Sequence, residues 1–163
     1  AAFNASAAWT VNGTFCQTYS DNGRVIVRVK PSTVGLIETM PQCNGRGSFG
    51  LTDSNFGVDG TVYPSSVMCN AQTQYYTLQS TMATKDIRTI INTFSKSDSV
   101  SINTFGSAFT VNTADFASAC ASIINQKVAD YDPQAAMKKE MERMGYYIGE
   151  DGQWHKRSYQ ATQ

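Results

Sequence analysis

Four cysteines, one histidine and a scatter of aspartates are the residues on which chemistry in this chain could rest. Cys16, Cys43, Cys69 and Cys120 lie too far apart for the closely paired ligands of a zinc site, and only His155 could join them. An even number of dispersed cysteines instead fits two structural disulfides in an oxidising compartment, each worth about 3–4 kcal/mol by loop closure; four buried reduced thiols are the alternative. Of the three pairings, Cys16–Cys43 with Cys69–Cys120 is expected, because the first two flank a hairpin-like unit and Cys69 lies on a strand that a helix carrying Cys120 could cover.

Nucleophilic hydrolysis needs a base held by a third group, and histidine ordinarily supplies it. His155 sits among Trp154, Lys156 and Arg157 and reads as a surface residue at an aromatic-rich contact. Asp53, Asp59, Asp86, Asp98 and Asp115 could serve glycoside hydrolysis only if the fold brought two of them together. Asp86 and Asp115 fall in predicted first turns of helices, where negative charge suits the dipole, and Asp53 and Asp59 lie in turn-like surroundings. Asp53-Ser54-Asn55 lacks the spacing and closing Glu of an EF-hand loop. Gly45-Arg46-Gly47-Ser48-Phe49-Gly50 lacks the Lys-Ser/Thr of a phosphate loop. No catalytic residue, metal ligand or cofactor is therefore expected.

The elements that must carry these residues divide at a change of composition. Of 163 residues, 13 are basic and 13 acidic, a balance that argues against a nucleic-acid surface. Charged residues are only 16%, below the usual quarter or so, and uncharged polar residues fill the deficit as in exported proteins. No apolar run approaches the roughly 18 residues of a membrane span. The start Ala1-Ala2-Phe3-Asn4 resembles a chain after signal-peptide cleavage, so a periplasmic or extracellular location is expected. The sequons at Asn4 and Asn12 are uninformative in a chain so rich in Asn and Thr.

Residues 1–63 read as short strands: an alternation within 9–19, Val25, Val27 and Val29 alternating with Arg24, Arg28 and Lys30, then 34–40, followed by a glycine-rich turn region over 41–50. Strands follow at 62–69, with Pro64 near an edge, and at 74–79. Thr84 is placed to cap a helix with Ile87, Ile90, Ile91 and Phe94 on one stripe. Val100 and Ile102 pair with Phe109 and Val111 in a hairpin, and Thr113 is placed to cap a second helix with Phe116, Ala119, Cys120, Ile123 and Ile124 inward. The expectation is an α+β domain over 1–128, a small antiparallel sheet or sandwich covered by two amphipathic helices, with a helix-plus-hairpin appendage over 129–163.

In that appendage Asp132-Pro133 starts a helix and Gly145 ends it. Met137, Met141 and Met144 form a narrow stripe, which either docks on the chain's own domain or faces a partner. Tyr146, Tyr147 and Ile148, a Glu150-Asp151-Gly152 turn and Trp154 to Tyr159 suggest a terminal hairpin. Exposed Tyr, Trp and Arg are enriched at interface hot spots. The candidate contact residues are therefore Met137, Met141, Met144, Tyr146, Tyr147, Trp154 and Arg157.

The run from Met82 to Ile124, a helix with Ile87-Arg88-Thr89-Ile90-Ile91, a Lys96-Ser97-Asp98 turn, a hairpin and a helix ending Ala117-Ser118-Ala119-Cys120, resembles the C-terminal half of small periplasmic proteins of the invasion-associated locus B type and related type VI secretion accessory proteins. That resemblance implies an exported β-rich sandwich with an accessory role in envelope or secretion biology and no catalytic residues. The reading that follows is a disulfide-stabilised, non-catalytic binding or assembly module with a protein partner. It includes envelope accessory, inhibitor and immunity-like roles and is open to homo- or hetero-oligomers. The other readings are a virion or secretion-machine subunit, an envelope hydrolase with paired carboxylates, and a carrier with an apolar cavity.

Overall fold

The computed structural model describes residues 8–80 and 83–158. The Ala1 start, the Asn4 sequon, Met82 and Tyr159 lie outside the described residues. The chain divides into two compact units between Asp130 and Tyr131.

The first unit is built on one antiparallel sheet of nine strands: β1 (Thr10–Asn12), β2 (Phe15–Tyr19), β3 (Val25–Lys30), β4 (Thr33–Thr39), β5 (Phe49–Val58), β6 (Thr61–Asn70), β7 (Tyr75–Ser80), β8 (Ser99–Thr104) and β9 (Ser107–Asn112). Their order across the sheet is β1-β2-β3-β4-β7-β6-β5-β8-β9. The period-2 pattern decides which face is inside. Val25, Val27 and Val29 are buried, Arg28 and Lys30 point outward, and the register continues each inward row across the strands, as in Thr18–Val27–Leu36–Leu78–Val67.

The sheet curls, and its last strand is tied to the turn between β2 and β3. The Asp21 amide donates to the Thr110 carbonyl at 2.8 Å, and the Thr110 amide donates to Asp21 Oδ1 at 3.1 Å. Gly23, at φ +71°, lets that turn close. Trp9 strengthens the same junction, because its indole N–H donates to the Asn112 carbonyl at 2.8 Å. Its ring packs against Phe116 and Phe94 at centroid distances of 4.8 and 5.9 Å.

One amphipathic helix, α1 (Thr84–Lys96), buries Ile87, Ile90, Ile91 and Phe94 in the same core as the strands. Asp86 in its first turn and Lys96 in its last complement the helix dipole. The second expected helix is broken. Two single turns, α2 (Phe116–Ala119) and α3 (Ala121–Ile124), meet at Cys120, whose φ and ψ of −100° and 9° depart from helical values. Neither expected cap acts through its side chain on the helix start. Thr84 is the first helical residue, and its hydroxyl donates to the Ala129 carbonyl, while the Thr113 hydroxyl donates to the Ser97 carbonyl at 2.5 Å.

The α+β expectation is therefore corrected. Strand accounts for 44% and helix for 23% of the described residues, and a nine-stranded curled sheet replaces a small sheet under two helices. Part of the reason is β5, a ten-residue strand whose first seven residues leave no side chain fully buried and whose polar stretch Thr52 to Asn55 interrupts any apolar alternation before Phe56 and Val58 enter the core.

Cys16 pairs with Cys120 and Cys43 with Cys69, which overturns the expected Cys16–Cys43 and Cys69–Cys120. The topology explains both bridges. β4 neighbours β7 and β7 neighbours β6, so the 3-10 turn at Pro41–Cys43 that follows β4 arrives over the row holding Cys69. Cys16 faces inward on β2 opposite Val29, and α3 packs on β3, which brings Cys120 to it. The disulfides place this chain in an oxidising compartment. No helix among the described residues is long and apolar enough to cross a membrane.

The loop lengths give a graded expectation. Replacing Cys16 and Cys120 together by Ala, a closure of 104 residues, should cost about 4–5 kcal/mol; replacing Cys43 and Cys69, 26 apart, should cost about 3.5 kcal/mol. Denaturant titration of the two double variants checks the order, and non-reducing peptide mapping checks the pairing.

Candidate functional site

The expected contact residues all fall in the second unit. Helix α4 (Pro133–Arg143) begins at Asp132, whose carboxylate accepts the Gln134 amide at 3.0 Å, with Pro133 in its first turn. It ends at Met144, followed by Gly145 at φ +90°. Strands β10 (Tyr146–Ile148) and β11 (Trp154–Lys156) then form an antiparallel hairpin pairing Tyr146 with Lys156, Tyr147 with His155 and Ile148 with Trp154. The Arg157 amide donates to the Gly145 carbonyl at 2.7 Å and joins the hairpin base to the helix end.

The two faces of this hairpin differ. On one, the rings of Tyr147 and His155 stack with centroids 5.5 Å apart, and the Arg157 guanidinium lies 5.2 Å from the Tyr147 ring centre. His155 Nε2 is 3.0 Å from both oxygens of Asp151. The Gln153 amide, and then His155, hold the Asp151 carboxyl below its ordinary range. Gly149 leaves room for this pair, since a Cβ there would stand 2.8 Å from His155 Cδ2 and the ring would have to shift. Tyr146, Ile148 and Trp154 occupy the other face by register.

No described residue of this unit is buried. Met137 is 57% exposed, Met144 49% and Tyr147 41%; Arg157 is exposed, while Met141, Tyr146 and Trp154 are half-buried. A cavity of about 350 Å³ is lined by Lys138, Glu142, Tyr146, Tyr147, Ile148 and Arg157. The predicted residues are thus gathered on one small helix-and-hairpin unit, and the cavity draws Tyr146, Tyr147 and Arg157 together.

Sequence reasoning missed a larger site in the first unit. β5 and β8 are paired only at Gly57–Asn103 and Val58–Ile102. Beyond those pairs they diverge, and the fork opens a cleft of about 780 Å³, within the 300–1,000 Å³ usual for ligand sites. Ser54 and Asn55 line one prong. Asn103 to Ala108, the end of β8 and its turn into β9, line the other. Met40, Cys43, Asn44 and Arg46 come from the segment after β4, and Tyr76 and Leu78 from β7.

Phe105, at the tip of the turn and at φ +54°, reaches Tyr76 with centroids 4.8 Å apart. Tyr76 also meets Phe49 edge-on, and the Arg46 guanidinium lies 5.3 Å from the Phe49 ring centre. Of six non-glycine residues with positive φ among those described, Cys43, Asn44 and Phe105 line this cleft. Such backbone is costly for a bulky residue and persists only where its surroundings impose it.

The cleft's residues come from four separate parts of the chain at no fixed spacing, so no motif announces them. Only the clustering of Asn with aromatic residues is visible beforehand. None of the five aspartates lines the cleft. Asp59 Oδ1 accepts the Ser101 amide at 2.8 Å and Asp115 Oδ2 accepts the Trp9 amide at 3.3 Å, while Asp86 begins α1. Comparison with protein families, with curated proteins and with solved structures found no match.

One carboxylate stands next to Tyr76 in the same inward row. Glu38, opposite both Val25 and Tyr76, has Oε2 sealed from solvent without a partner among the described residues. Burial pushes its carboxyl above the ordinary range, and Arg24 partly offsets this. A raised folded-state value penalises the ionised form, so the Glu38 contribution is favourable below the unfolded value and is lost as pH rises. Glu38→Gln should therefore flatten the decline in stability as pH rises above the ordinary glutamate value of about 4.3, read by denaturation of both forms across a pH series.

Proposed function

We propose that this chain is an exported, periplasmic or extracellular binding or assembly module, without catalysis of its own, that acts through protein–protein contacts made by its helix-and-hairpin unit. One observation carries the reading: none of the described residues from Tyr131 to Ser158 is buried, yet Met137, Met144, Tyr147 and Ile148 are each more than two-fifths exposed. A single hairpin with an 11-residue helix is marginal by itself, and apolar area left in water is area a partner can remove.

The chemistry of the surface sets the kind of partner. Met137, Met141 and Met144 follow the i, i+4, i+7 spacing with which a helix enters an apolar groove, and methionine adapts to an irregular one. Tyr147, stacked on His155 and with the Arg157 guanidinium over its ring, is an aromatic anchor. Acidic and basic residues are five each from Tyr131 onward, so the surface offers no single-sign field and recognition rests on apolar and aromatic contact. His155 has a structural role here, pairing with Asp151 across the turn.

A photo-crosslinking residue in place of Met137, introduced in the source cells, tests this. A discrete adduct with one protein is expected, and the double change Tyr147→Ala, Trp154→Ala should weaken that contact by roughly 30-fold or more, with melting of the first unit unchanged. No adduct, or one indifferent to the double change, contradicts the reading.

A further inference from the structure

We propose that the cleft between β5 and β8 binds a short, uncharged oligosaccharide. The lining selects for it by charge, by hydrogen-bonding type and by shape.

Arg46 is the only charged side chain in the lining, and its guanidinium is engaged with the Phe49 ring. A cation would find no carboxylate there, and a polyanion would find one cation. The remaining polar groups are bifunctional. The side chains of Ser54, Asn55, Asn103 and Asn44 have no hydrogen-bond partner among the described residues, and each offers both a donor and an acceptor. Ser65, directly opposite Ser54 in the ladder, is buried with a hydroxyl that likewise has none. A sugar hydroxyl is donor and acceptor at once, so neighbouring hydroxyls match an amide's N–H and C=O. An apolar guest would strip water from these groups without replacing it, at about 1–3 kcal/mol for each one sealed.

Tyr76 and Phe105 supply the complementary apolar surface, two half-buried rings in contact, against which the C–H faces of a pyranose can rest. The frame is tied down at two points. The Cys43–Cys69 bridge anchors the segment carrying Asn44 and Arg46, and Phe105 is held by its contact with Tyr76. Preorganisation of this kind lowers the ordering cost of binding a weakly interacting polar ligand.

An extended peptide is the competing occupant, because β5 lacks a second neighbour before Gly57. The register shift between Phe49 and Thr52 interrupts that edge as a template for a ladder. The lining also lacks apolar pockets at alternate positions to read peptide side chains.

The test is titration of the isotope-labelled full chain with millimolar maltotriose, cellotriose, tri-N-acetylchitotriose and an uncharged heptapeptide, followed by amide chemical shifts. At least one trisaccharide should give saturable shifts confined to Asn44, Arg46, Ser54, Tyr76 and Asn103 to Ser107. Asn103→Ala and Asn55→Ala, both at exposed positions, should each weaken that binding about tenfold with unchanged thermal unfolding. The proposal is overturned by trisaccharides that leave the cleft unmoved, by binding indifferent to both alanine variants, or by saturable cleft shifts with the heptapeptide alone.

Discussion

The first unit depends on covering one surface, the concave face of its curled sheet. Most of its strands present inward rows of Val, Leu, Ile and Phe, and leaving such rows in water would cost about 25 cal/mol for every Å² exposed. The cover is assembled from pieces far apart in the chain: α1 with its isoleucine stripe, Trp9 before the first strand, and the broken turn around Cys120. The Cys16–Cys120 bridge spans 104 residues and fastens the first strands to that last piece. The Asp21 and Thr110 hydrogen bonds hold the curl at the other strand edge.

Where the cover stops, the chemistry changes. β5 and β8 share two residue pairs and then part, and the fork is lined with amides, hydroxyls and two contacting rings rather than aliphatic side chains. Left-handed backbone at Cys43, Asn44 and Phe105 is a local cost that the disulfide and the aromatic contact sustain. A polar concavity is what a sheet leaves when two neighbouring strands part faster than side chains can fill the gap.

The second unit solves a different problem. None of its described residues is buried to organise it, so local devices do: the Asp132 cap, Gly145 after the helix, and the Asp151 carboxylate that accepts from Gln153 and meets His155. Each is a weak, solvent-screened contact at an exposed site. Such a unit keeps its methionines and aromatics on the surface, which is why contact function is assigned to it. The two surfaces recognise by different physics, apolar burial on the helix and hairpin and matched hydrogen bonding in the cleft.

Much of the local structure was legible in residue order, because local signals are local physics. Alternation marked β3, a 3.6-residue stripe marked α1, and Asp132-Pro133 and Gly145 marked the ends of α4. The hairpin carrying Tyr147 and Trp154 announced itself through its turn residues. β5 did not, since its polar middle, Thr52 to Asn55, separates Phe49 and Leu51 from Phe56 and Val58 and leaves no continuous period to read, and the break at Cys120 did not, since its stripe is continuous in sequence. The sequence by itself thus determined which segments can be strands or helices and that the cysteines suit an oxidising compartment. Only the tertiary structure decided the disulfide partners, the nine-stranded order and the cleft, because strand neighbours such as β4 and β7, separated by two other strands in the chain, are chosen by non-local packing that no short window contains.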